Sequence, residues 1–119
     1  MANISPVIDA IESLNERGCH IIIWETLTAA NAVGDAVALG GSPDRSVQVV
    51  GTFDGATVKV QGSNDGTNWV DLTDPQGNPI SKTATFMESI MEISRHLRIF
   101  TSGGGASQDL DAYVFTRGG

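Results

Sequence analysis

Apolar and polar residues alternate with period two along much of the chain, most clearly over residues 46–72. Val47, Val49 and Phe53 fall on one face, with Gln48, Val50 and Thr52 on the other. Asp54-Gly55 interrupts the pattern, and Val58 and Val60 resume it against Thr57, Lys59 and Gln61. Asn64-Asp65-Gly66 interrupts it again before Trp69, Val70 and Leu72. Asp-Gly between alternating runs is a strong hairpin signal, because the central residues of a tight turn need positive φ. The stretch therefore predicts a three-strand β-meander that nucleates the sheet. Val47, Val49, Phe53, Val58 and Val60 are its expected core.

Similar runs flank it. Residues 20–27 are a strand by composition, with three Ile and one Trp in succession. Residues 36–39, 96–101 and 110–116 read as further strands, separated by Gly- and Pro-rich turns such as Asp74-Pro75-Gln76-Gly77. Residues 80–93 fit a helical face through Phe86, Ile90 and Ile93, but Thr83 and Thr85 favour a strand, which is the expectation adopted. Residues 1–18 stay open. Ser5 and Pro6 suit a helix start and Gly18 a helix end; an extended arm or edge strand fits equally. The sum is an all-β chain, an antiparallel β-sandwich of about eight strands, jelly-roll-like, over residues 19–119. Residues 1–18 are an N-terminal arm, short helix or edge strand.

Composition narrows the function. The chain of 119 residues carries a formal net charge of −7, which argues against a nucleic-acid footprint and against attraction to an anionic membrane. Cys19 is the single cysteine, so no intrachain disulfide forms and a reducing cytoplasm suffices. The N-terminus has no basic region followed by a long apolar run, so no signal peptide is expected. The longest apolar run, residues 21–24, is far short of the roughly 20 residues that cross a bilayer.

Candidate chemistry is sparse. His20 and His96 lack a second histidine at ligand spacing. Cys19 and His20 are strand neighbours, whose side chains point apart, so a nucleophile–base pair is not expected. Asp65, Asp71 and Asp74 lack calcium-loop spacing and read as turn formers and their neighbours. Residues 102–105 have the glycines of a phosphate cradle but neither its lysine nor a following helix. Trp24, Trp69 and Tyr113 raise a sugar platform as the alternative to core packing. No enzyme, cofactor or metal is expected.

One motif string goes further. Asp44-Arg45-Ser46-Val47-Gln48-Val49 is followed by GSNDGTNW at residues 62–69 and LTDPQGN at residues 72–78. An acidic-aliphatic run at residues 91–93, an arginine-bearing strand at residues 95–99, a Gly-rich turn and a last strand complete it. Over residues 20–117 this resembles small β-sandwich virion proteins of tailed bacteriophages, the capsid decoration, cement or staple proteins. The resemblance implies a non-enzymatic protein on the capsid exterior, assembled in the host cytoplasm. It implies the major capsid protein and the chain itself, as homodimer or homotrimer, as partners, with no nucleic acid and no membrane. The apolar residues Ile4, Val7, Ile8, Ile11 and Leu14 are the expected capsid or subunit interface. A virion carbohydrate-binding or tail-associated module is the alternative.

Overall fold

Alternation in the sequence becomes alternation of burial. In the strand Thr57–Ser63, Val58 and Val60 are buried while Lys59 and Gln61 reach solvent. The computed structural model describes residues 4–11, 19–39 and 43–118. Among them are ten strands: β1 (Val7–Ile11), β2 (Cys19–Leu27), β3 (Val37–Ala38), β4 (Asp44–Thr52) and β5 (Thr57–Ser63), then β6 (Val70–Asp71), β7 (Ser81–Lys82), β8 (Phe86–Ser89), β9 (His96–Ser102) and β10 (Asp109–Arg117). They form two sheets with antiparallel pairings, and the expected all-β sandwich is what the chain adopts. The first sheet has the order β1-β2-β10-β4-β8; the second has the order β3-β9-β5-β6, with β7 also pairing β5.

The predicted meander is corrected. β4 pairs β10 and β8, whereas β5 pairs β9, β6 and β7, so the two strands lie in different sheets. The turn at Asp54-Gly55 is tight, with φ of 47° and 83° and the Ala56 N–H donating to the Phe53 carbonyl at 2.9 Å. It nevertheless carries the chain across the sandwich. The loop after β9 holds it there: Asp54 accepts from Ser107 N–H at 2.9 Å through its side chain and from Gly105 N–H at 3.0 Å through its carbonyl. Folding over at this point stacks Val47 and Val49 against Val58 and Val60, all fully buried. A flat hairpin would leave both pairs on one open face.

Two other expectations change. The strand expected over residues 80–93 divides into β7 and β8. From Ile90 the chain leaves the first sheet; the Met91 N–H donates to the Thr73 carbonyl at 2.9 Å, and the Thr73 N–H donates to the Glu92 carboxylate at 2.8 Å. The helical alternative for the N-terminal segment fails over β1, which pairs β2 from Val7↔Ile23 to Ile11↔Cys19. Residues 12–18, including Leu14, lie outside the described residues.

The core fills the space between the sheets, with Ile22, Trp24, Leu27, Leu97, Ile99 and Val114 fully buried. A β-bulge puts both Trp24 and Leu27 inside despite their odd spacing. Thr26 takes φ 60° there, its N–H donates to the Asp111 carboxylate at 3.0 Å, and the register slips between Leu110 and Ala112. Where β8 meets β7, Glu88 and Lys82 bridge the two sheets at 3.1 Å.

Candidate functional site

Residues paired across a sheet share a face. In the first sheet Ile22, Val114 and Val47 form an inward row, and all are fully buried. The next row outward is Val7, Ile23, Tyr113, Gln48 and Met87, one residue from each of the five strands. Beside it run Ile21, Phe115, Ser46 and Ser89. The middle of the outward face is thus an apolar strip, with Asp9 in register with Ile21 and with Asp44, Asp109, Asp111 and Arg117 toward its ends. Val7, Met87 and Phe115 are exposed, and Ile21, Ile23 and Tyr113 are partly so. A sheet with one face in water ordinarily presents polar residues there.

The second sheet does so. Its outward residues include Lys59, Gln61, Asp71, Arg98 and Phe100. The Gln61 side chain donates to Asp71 at 3.0 Å and accepts from Arg98 Nε at 2.9 Å. Lys59 sits 3.4 Å from Asp71. The hydrogen bond from Gln61 holds the Asp71 carboxyl below its ordinary range, with Lys59 adding to the effect against partial desolvation. The Arg98 guanidinium lies over the Trp69 ring, 4.4 Å from its centroid, and 5.7 Å from that of Phe100. One face of Trp69 is therefore taken by the protein's own arginine. Trp24 is a core residue, its indole N–H bonded to the Asp35 carbonyl.

The apolar outer face of the first sheet continues past β8. Met91 and Ile93 project from the segment that leaves the sheet, and both are more than half exposed, as is Val70 at the end of β5's hairpin partner β6. Two shallow depressions meet at Ile93. One also touches Met91, Phe115 and Arg117; the other touches Val70 and Leu72. Glu92 borders the second depression and is held by Thr73: burial alone raises its carboxyl, but the Thr73 hydroxyl and N–H hold it below its ordinary value.

The acidic turns are structural in their contacts. Asp65 accepts from Thr67 N–H, Asn68 N–H and the Ser63 hydroxyl, each at 2.8 Å. The Asn68 and Thr67 N–H groups, the Asn68 amide and Ser63 hold its carboxyl far below the ordinary range. Asp74 accepts from Gln76 and Asn78 N–H at 3.0 Å each. Among the described residues, no three of His, Cys, Asp and Glu gather where a metal ion would bind. Cys19 is buried.

The expected interface residues go to different places. Ile4 packs on the core and is pinned by hydrogen bonds with Val33 and Asp35, at 2.9 and 2.7 Å. Val7 belongs to the outward row of the first sheet, and Ile8, on the opposite side of β1, borders an opening beside His20 and Leu39. Ile11 ends β1 opposite Cys19. Sequence reasoning missed the rest of the row. The signal was there in Ile21-Ile22-Ile23, where isoleucine occupies both faces of one strand.

The chain is similar in fold to a prophage protein. That structure is the SPBc2 prophage-derived protein YomS, with a TM-score of 0.55 at 10% identity, covering 91% of this chain and 98% of that one. The IMPa metallopeptidase in complex with T-antigen follows at a TM-score of 0.42 and 12% identity, over 95% of this chain and 13% of that one. The K1 cleaved adhesin domain of Lys-gingipain from Porphyromonas gingivalis W83 follows at 0.37 and 11% identity, over 98% of this chain and 85% of that one. No protein-family model matches the sequence, and no curated protein matches it.

Proposed function

We propose that this protein is a non-enzymatic decoration subunit of a tailed-bacteriophage head. It binds the outer surface of the shell and stabilises contacts between major capsid subunits. The observation that carries the reading is the first sheet, whose outer face bears an exposed apolar strip between charged ends in a chain of net charge −7. One face builds the core; the other, continued by Met91, Ile93 and Val70, is a surface for protein to cover. The motif string over residues 44–78 and the fold shared with a prophage protein support the virion setting. A small subunit with no disulfide suits assembly in a reducing host cytoplasm. Weak contacts are enough there, because many copies act together on one lattice.

The exposed corner of Met91, Ile93 and Val70 is the shell-facing contact in this reading. Co-sedimentation with expanded shells tests it. Saturable pelleting is expected, at a fixed ratio to the major capsid protein, with loss in Met91→Asp and Ile93→Asp proteins that remain folded. Purified protein left in the supernatant at all concentrations, or heads lacking the gene that withstand heat as well as wild type, overturns it.

A further inference from the structure

We infer that the outer face of the first sheet is the seam of a two-fold homodimer. The row Val7, Ile23, Tyr113, Gln48 and Met87 spans every strand of the sheet and contains no charged side chain. Tyr113 stands at its centre, on the middle strand β10. A two-fold axis lying along this row sets each of its residues against its own copy, which is the self-complementarity a two-fold interface requires.

The charges at the margins choose the direction. Around Tyr113, the residue four positions on is Arg117 and the residue four positions back is Asp109. Both lie on β10 and both are exposed. Arg117 is paired with Asp44 of its own chain at 2.7 Å; with the strands of the two copies antiparallel, this charge-balanced pair, rather than a second acidic cluster, approaches Asp109 of the other copy. With the strands parallel, Glu25, Asp109 and Asp111 of both copies crowd together at one end, which like-charge repulsion opposes.

The area is sufficient. Strand spacing of about 4.8 Å and a rise of about 3.4 Å give each strand residue roughly 16 Å² of flat sheet. The strands β1, β2, β10, β4 and β8 then present roughly 600 Å² per copy, or roughly 1,200 Å² in all before side-chain relief is counted. That reaches the range of stable complexes, roughly 1,200–2,000 Å². Two twisted sheets stack face to face about 10 Å apart, the same packing that builds the core. The outer face of the second sheet, with Lys59, Asp71 and Arg98, has no comparable apolar row.

The seam is tested with purified protein alone, so its failure is separable from failure of shell binding. Sedimentation equilibrium of the wild-type chain is expected to give twice the 12.5 kDa chain mass. Ile23→Glu and Tyr113→Glu are each expected to weaken association by at least roughly thirty-fold, as loss of a central anchor does. Arg117→Glu is expected to weaken it and Asp109→Arg to restore it in the double variant. Should the glutamate variants misfold, Gln48→Cys provides an independent measurement. Near the axis it is expected to be cross-linked between copies by a short bifunctional thiol reagent that spans the roughly 10 Å between the sheets, whereas Lys59→Cys, on the opposite sheet, is not. A wild-type monomer, a trimer, or a dimer that survives Ile23→Glu and cross-links through Lys59→Cys overturns the seam. A monomer that still pellets with shells overturns the seam alone; a dimer that does not pellet overturns the shell reading alone.

Discussion

The indole N–H of Trp24 donates to the Asp35 carbonyl at 2.9 Å, and Gly34 lies against the same ring. A Cβ at Gly34 would stand 2.6 Å from Trp24 Cδ1 and 2.8 Å from Nε1. Gly34→Ala is therefore expected to destabilise the fold by about 1–3 kcal/mol through overpacking. Trp24→Phe is expected to cost about 1–3 kcal/mol, from the lost hydrogen bond and the space left behind. Because both changes act on one contact, the double variant should lose less than the sum. Urea unfolding of the four proteins measures this, and strict additivity would show that the two residues are independent.

Thr26 holds φ 60°, a region costly to a β-branched residue, and its side chain is exposed. Thr26→Asn keeps the backbone N–H that Asp111 accepts and tolerates the left-handed conformation. It is expected to raise stability by about 1 kcal/mol. A lower denaturation midpoint in the variant would mean that the threonine makes a compensating contact.

Arg98 is stacked on Trp69 and hydrogen-bonded to Gln61. Arg98→Ala should expose the Trp69 ring and cost about 0.5–1 kcal/mol. Trp24 is fully buried, so acrylamide quenching of tryptophan fluorescence reports on Trp69. Quenching is expected to increase in Arg98→Ala and to recover only partly in Arg98→Lys, which lacks the Nε donor. Unchanged quenching would separate the arginine from the ring in solution.

The Asp65 carboxyl is held below its ordinary value by the N–H groups of Asn68 and Thr67. A depressed folded-state value means that the ionised form is favoured by folding. Its contribution is full above the unfolded value of about 3.9 and is lost as pH falls below it toward the folded value. Asp71 and Glu92 are lowered too, so their contributions have the same sign. The thermal midpoint should fall from about pH 4 downward, with a shallower fall in Asp65→Asn. An identical slope in the variant would remove Asp65 from the acid response.

Much of the fold was legible because its signals are local. Val47, Val49, Val58 and Val60 are core residues as their alternation predicts. Asp65 and Asp74 cap turns, as short acidic side chains before glycine-rich loops do. Residues 80–93 were less legible. Phe86 faces the core, Met87 faces solvent and Ile90 is buried beyond the end of β8, so burial there follows neither a helical nor a strand period for long. The candidate surface was least legible, since Met87 and Tyr113 carry no mark of belonging together.

Sequence alone determined which side of each strand is apolar and where the chain must turn. Period two and the freedom of Asp-Gly pairs are properties of neighbouring residues. It did not determine which strands pair. A strand's backbone offers the same donors and acceptors to any partner, so register depends on how apolar faces are covered in three dimensions. The tight turn at Asp54-Gly55 is as compatible with a hairpin as with the crossover between sheets that the chain makes there. The row Val7, Ile23, Tyr113, Gln48 and Met87 exists only once five strands from distant parts of the chain are in register. Isoleucine on both faces of β2 and Tyr113-Val114-Phe115 in β10 are local traces of it, since a strand is apolar on both sides when both sides are to be covered.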